Sequence, residues 1–203
     1  VDYICLNNPQ NLNPAFQEEM NEVRNRKGTK FVYSISYDKF DAEWNEQQKA
    51  NPELTEEDAL SFFIESTDKM LALCDQYDFD GFVVDYTGRS LVSLTEEALA
   101  QYNGRQQNFF NKIMNWKEAH TNKTLVFYGN VQYLVPENME MLNKYDFILL
   151  KTATATNGDI LSLLSYMALQ AGEDAIKTAK GTEESGVKEN PVPNDRFLAC
   201  VQL

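Results

Sequence analysis

Asp85 is the residue whose surroundings most demand a chemical explanation. It stands in the run Tyr77-Asp78-Phe79-Asp80-Gly81-Phe82-Val83-Val84-Asp85-Tyr86-Thr87-Gly88, where strand-forming side chains surround one acid. An extended chain alternates its side chains, so Val83, Asp85 and Thr87 share one face while Phe82, Val84 and Tyr86 share the other. A carboxylate in such a strand must meet donors or cations, because burying it alone is costly. It therefore bonds to backbone or tyrosine, or it faces a ligand. Lys151 poses the converse problem: a cation after Phe147-Ile148-Leu149-Leu150 must reach solvent at the strand end or pair with an acid, Asp85 being one option.

The elements that position these residues alternate. Val1–Asn8 reads as a strand, and Pro14 opens a helix through about Arg26 that Gly28 ends. Thr29–Ser36 is a second strand with Ser34 and Ser36 on one face, and Tyr37–Pro52 is a long polar connection carrying Tyr37, Phe40 and Trp44. Thr55-Glu56-Glu57-Asp58 is a capping signature with acids at a helix start. After the Asp85 strand comes the loop Gly88–Ser93, then a helix over Thr95–Ala119 with Asn103-Gly104 as its weak point. Thr124–Asn130 is a strand, Pro136–Asn143 a short helix, Tyr145–Thr152 a strand and Asp159–Ala171 a helix. Gly172–Asn190 is charged and glycine-bearing, a possible cover for a site, and Arg196–Gln202 is the last strand.

Strands alternating with helices imply parallel βαβ units. The six strands predict one domain over residues 1–203, an α/β fold of the (β/α)8 TIM-barrel kind. Closure needs eight strands and typically ~250 residues, so the barrel is expected to be incomplete at both ends here, with one strand before Val1 and one after Leu203. An open doubly wound sheet is the competing architecture, but no glycine-rich dinucleotide or phosphate loop supports it.

The Asp85 run resembles the signature strand of glycoside hydrolase family 18, the chitinases and endo-β-N-acetylglucosaminidases, whose pattern is D-G-x-D-x-D-x-E. Asp80, Gly81 and Asp85 match it; Val83 replaces an aspartate and Thr87 replaces the glutamate that protonates the leaving oxygen. The resemblance implies substrate-assisted cleavage beside a GlcNAc-type sugar, with Asp85 meeting the acetamide. It also implies that the proton donor is missing, and general acid catalysis contributes ~10²–10⁴-fold. The expectation is a family-18-like barrel that binds a GlcNAc-containing glycan, of N-glycan type, and cleaves it weakly or not at all.

Tyr128, Asn130, Lys151 and Gln202 are the further candidates for ligand contact, since aromatic faces stack on pyranose rings and amides bond hydroxyls. Two alternatives remain: an active endo-β-N-acetylglucosaminidase with a displaced acid, for which Asp38 and Glu43 are the candidates, and an unrelated TIM-barrel enzyme. The later pair Tyr145-Asp146 matches the family only weakly, because it opens its strand rather than closing it. The resemblance further extends to secreted or surface-lipoprotein members of glycan-foraging Bacteroides-type gut bacteria, which implies an extracytoplasmic place beside glycan-uptake proteins.

Composition narrows the partners. A net charge of -13 disfavours nucleic acid and anionic lipid surfaces. No apolar run approaches the ~18 residues of a membrane span, and no signal-peptide pattern is present, so any targeting segment is expected outside this chain. Cys5, Cys74 and Cys200 are widely separated in apolar runs and read as buried free thiols. With a single histidine, His120, neither a metal site nor a histidine-based nucleophile is expected, and no cofactor is implied. His120 itself falls between helix and strand, where capping is its expected role.

Overall fold

The structure, a computed structural model, describes residues 2–7, 9–134, 136–150 and 192–199. Among these, six strands form one parallel sheet whose spatial order is the chain order: β1 (Tyr3–Leu6), β2 (Lys30–Ser36), β3 (Gly81–Tyr86), β4 (Thr124–Gly129), β5 (Phe147–Leu150) and β6 (Phe197–Ala199). Four helices accompany them: α1 (Pro14–Lys27), α2 (Tyr37–Ala50), α3 (Glu56–Gln76) and α4 (Glu96–Ala119). This is a partial (β/α) barrel wall, as the alternating elements predict.

The sheet curls. Tyr3 on β1 and Phe147 on β5 meet edge to face with ring centroids 6.3 Å apart, although β2, β3 and β4 lie between them in the sheet. Only a wall curved around its inner face brings such side chains together. The outer face is aromatic. Phe82 and Tyr86 pack against Trp116 and Phe110 of α4, while Tyr37 sits among Phe63, Tyr86, Tyr102, Phe109 and Phe110. Apart from half-buried Trp116, these rings, with Val84 and Phe127, are buried, so the outer face of the sheet carries the main apolar burial.

Two strand-entry aspartates are built into the fold in the same way. Asp80, just before β3, accepts the Phe31 N–H of β2 at 2.7 Å and pairs with Arg24 near the end of α1 at 3.0 Å. Asp146, just before β5, accepts the Leu125 N–H of β4 at 2.8 Å and pairs with Lys117 near the end of α4 at 2.9 Å. In each case the acid bridges the neighbouring strand to the helix that leads into that strand. Gly81 follows Asp80 with φ 147, and a Cβ there would sit 1.8 Å from the Thr124 carbonyl oxygen, so β4 can approach only a glycine.

Two expectations change. Residues 37–50 form a helix rather than an open connection, because Ser36 caps it through Lys39 N–H and Tyr37, Phe40 and Trp44 bury one face at helical spacing. α4 runs unbroken through Asn103-Gly104, where a Cβ on Gly104 would come into ordinary contact with the Leu60 side chain of α3 at 3.6 Å. The expected short helix after Pro136 is present over residues 136–144 and is of 3-10 type. The predicted helix over 159–171 and the charged stretch 172–190 lie outside the described residues.

Candidate functional site

Asp85 lies on the inner face. Phe82, Val84 and Tyr86 are the buried, helix-facing positions of β3, which turns half-buried Val83 and Asp85 to the other side. Register then sets the neighbours: Asp85 stands level with Ser36 on β2 and Tyr128 on β4, and Tyr128 with Leu149 on β5. One level lower come Ser34, Val83, Val126 and Phe147. The inner face is therefore polar toward the carboxyl ends of its strands and apolar below, the end at which barrel folds place their chemistry.

Cys5 confirms the geometry from β1. It pairs in register with Val32, on the same face as Asp85. Its thiol is pushed up to about 11, first by burial and then by the negative charge of Asp85. Cys5 as a residue is nevertheless solvent-exposed, so of these two cysteines only Cys74 is the buried residue expected. β1 is the first strand of the described sheet and is covered by another strand only on the β2 side. Cys200 lies outside the described residues.

Beyond Tyr86 the β3 chain leaves the ladder, and side chains continue the pairing. The two oxygens of Asp38, in the first turn of α2, accept the N–H groups of Thr87 at 2.5 Å and Gly88 at 2.8 Å. From the other side Asn130 donates its amide N–H to the Thr87 carbonyl at 2.9 Å, while its backbone N–H bonds the Tyr86 carbonyl. Thr87, exposed just past the end of β3, is thus held between Asp38 of α2 on one side and Asn130 after β4 on the other. Gly88 turns away at φ 66, where a Cβ would collide with the Tyr86 ring.

Behind this rim the Tyr86 hydroxyl is fully engaged. It donates to the Tyr133 carbonyl at 2.7 Å, receives Gln106 Nε2 at 2.7 Å and contacts the Tyr102 hydroxyl at 2.9 Å. Gln106 is in turn bonded by Asn138. This buried network ties the segment after β4 to α4 and to the strand that carries Asp85.

Comparison with known proteins now has a geometry to rest on. The profile of glycoside hydrolase family 18, BT1044-like, matches residues 1–183. The chain belongs to glycoside hydrolase family 18. None of the curated proteins matches. Similar solved structures include an endo-β-N-acetylglucosaminidase from Cordyceps militaris, at 14% identity, TM-score 0.51, and 98% coverage of this chain against 56% of that one. Another is the chitinase domain of the spore coat protein CotE from Clostridium difficile, at 13% identity and TM-score 0.50, covering 99% and 64%. A third is a selenomethionine form of BT1044 with one glutamate changed to glutamine, at 13% identity and TM-score 0.50, covering 77% and 50%. At these identities the likeness shows the fold, and the chain spans about half to two thirds of each relative's length. The doubly wound sheet and the unrelated barrel are thereby set aside.

Within the family-18 frame the sequence-predicted residues fall into distinct places. Asp85 and Tyr128 stand side by side on the inner face, Thr87 follows just past the end of β3, and Asn130 bonds the Thr87 carbonyl. Asp80 does not: it is at the opposite end of β3, tied to β2 and α1. Asp146 is likewise at a strand entry, so the weak Tyr145-Asp146 match lies away from the site. Glu43 points along α2 to Lys39 at 3.9 Å. His120 binds the Trp116 carbonyl through Nδ1 at 2.8 Å and stacks on the Trp116 ring, a helix-end role. Among the described residues no group of acids, cysteines and histidine could hold a metal, and no helix is long and apolar enough to cross a membrane. Lys151 and Gln202 lie outside the described residues. Sequence reasoning missed Ser36 as a neighbour of Asp85 and Asp38 as the tie to Thr87; the second links residues nearly fifty positions apart with no local signature.

Proposed function

We propose that this family-18 barrel binds a GlcNAc-containing glycan of the N-glycan type and does not cleave it, with Asp85 meeting the acetamide and Tyr128 beside it. The observation that carries the reading is the position of Thr87. It is two residues beyond Asp85 in the sequence, where the family's signature has its glutamate, and a hydroxyl is too weak an acid to protonate a leaving sugar near neutral pH. Asp38, a carboxyl bonded to this backbone, has its two oxygens engaged by the N–H groups of Thr87 and Gly88. A binder of this kind fits an extracytoplasmic place beside glycan-uptake proteins, the setting that the family resemblance implies.

The same contact favours one second reading, an active endo-β-N-acetylglucosaminidase in which Asp38 is the displaced acid, because Asp38 is next to the vacated position. Calorimetric titration with N,N′-diacetylchitobiose, plus mass spectrometry of an N-glycan after long incubation, separates the two. The binder reading expects saturable affinity that Asp85→Asn lowers, and an intact glycan. Released glycan that disappears with Asp38→Asn establishes the second reading instead. Thr87→Glu restores a carboxyl to a backbone already held by Asp38 and Asn130, and slow hydrolysis is the expected result.

A further inference from the structure

We propose that Asp38 and Arg105 are positioning residues that fix the ligand-facing rim from behind, with helix α2 as the part they hold in place. The proposal deepens the glycan-binding reading and, for its affinity arm, rests on it. Two contacts join α2 to the loop that follows β3. Asp38 receives the Thr87 and Gly88 N–H groups, and one turn on, Asp41 pairs with Arg89 at 3.2 Å. Arg89 also lies over the Tyr102 ring of α4, 4.6 Å from its centroid. The loop is therefore gripped through its backbone at Thr87-Gly88 and through its side chain at Arg89.

The buried rings of Tyr37, Phe40 and Trp44 seat α2 on the core, and the partly exposed Asp41–Arg89 pair adds little to that. Arg105 supplies the polar fixed point that orients Asp41. This α4 guanidinium is only 7% exposed and binds Glu56 at the start of α3 through two nitrogens, at 2.9 and 2.6 Å. Its third nitrogen lies 3.9 Å from Asp41, and the group sits over Trp44 of α2, 6.0 Å from the ring centroid. A planar fork can address α2, α3 and α4 at once; an ammonium cannot. Arg105 thus orients Asp41 and Trp44, α2 carries Asp38, and Asp38 sets where Thr87 stands relative to Asp85.

The test pairs backbone NMR with calorimetry on Asp38→Ala, Asp38→Asn and Arg105→Lys. A charge-assisted bond to a backbone amide corresponds to about 10- to 100-fold in local opening, so Asp38→Ala should speed hydrogen exchange at Thr87 and Gly88 by that factor. Asp38→Asn retains one acceptor and should restore part of the protection. Arg105→Lys should shift and deprotect the same two amides without touching Phe31 and Leu125 at the far end of the barrel. Affinity for N,N′-diacetylchitobiose should fall roughly tenfold with Asp38→Ala, one bond's worth of rim order. Exchange at Thr87 and Gly88 that stays protected, or that rises only in step with the whole sheet, overturns the proposal. Absence of any affinity in the unmodified protein would defeat the glycan reading alone, because the exchange result still decides the latch.

Discussion

Replacing Asp80 by alanine removes two contacts at the entry of β3: the Phe31 N–H bond at 2.7 Å and the Arg24 pair at 3.0 Å. Phe31 is buried, so its amide loses its partner in a place water reaches poorly. A hydrogen bond to a charged group is worth about 1.5–3 kcal/mol, and a partly exposed ion pair adds up to about 1. The Asp80 side chain is 31% exposed, which favours the lower half of that sum. The expected loss is about 1.5–2.7 kcal/mol, or a Tm decrease of roughly 3–11 °C for a domain of this length. Arg24→Met leaves the Phe31 N–H bond to Asp80 in place and should cost less, and the double substitution should cost less than the two together because they share the Arg24–Asp80 pair. Differential scanning calorimetry measures all three. Glycan affinity should stay unchanged, because Asp80 is at the opposite end of β3 from Asp85. A Tm shift below about 1 °C, outside the range expected for a buried network, or a large loss of affinity at constant Tm, would refute the assignment of Asp80 to the scaffold.

Two other outcomes follow from the same packing. Tyr37 is enclosed by five rings with no hydrogen-bond partner for its buried hydroxyl among the described residues, whereas the Tyr86 hydroxyl has three. Thermal melts should therefore show Tyr37→Phe neutral or stabilising and Tyr86→Phe destabilised by about 1–3 kcal/mol. At Cys5, burial and the charge of Asp85 hold the thiol up at about 11. The neutral, unreactive form thus prevails below that pH, and alkylation by iodoacetamide should become fast only as pH rises toward it. Asp85→Asn removes one of the two causes and should move the alkylation profile to lower pH; an unchanged profile would place Asp85 away from the inner face.

The barrel wall was legible because each strand carries its own alternation and each helix its own caps. Phe82, Val84 and Tyr86 against Val83 and Asp85 is a local pattern, and it placed Asp85 on the inner face without any knowledge of neighbours. Thr55 with Asp58, and Asn13 before Pro14, mark helix starts just as directly. α2 escaped because its apolar residues are few; Tyr37, Phe40 and Trp44 have helical spacing, yet the intervening residues are nearly all polar and the strand before it ends without a break. Asn103-Gly104 looked like an interruption, but tertiary packing on α3 outweighs a glycine's helix penalty of ~1 kcal/mol. Asp38, Thr87 and Asn130 could each be singled out from the sequence, but the contacts that join them into a rim could not. Asp38 with Thr87, Asn130 with Thr87 and Arg105 with Glu56 join residues more than forty positions apart, and no composition or periodicity carries that information.

The central claim is that this barrel holds a GlcNAc-containing glycan in a site whose acid position is a threonine. Prolonged incubation of the protein with a GlcNAc-containing N-glycan, at a concentration that calorimetry shows to be saturating, tests it most directly. Mass spectrometry should find the glycan intact, and Asp85→Asn should weaken its binding. Stoichiometric release of a shortened glycan by the unmodified protein, or binding indifferent to Asp85, would contradict it.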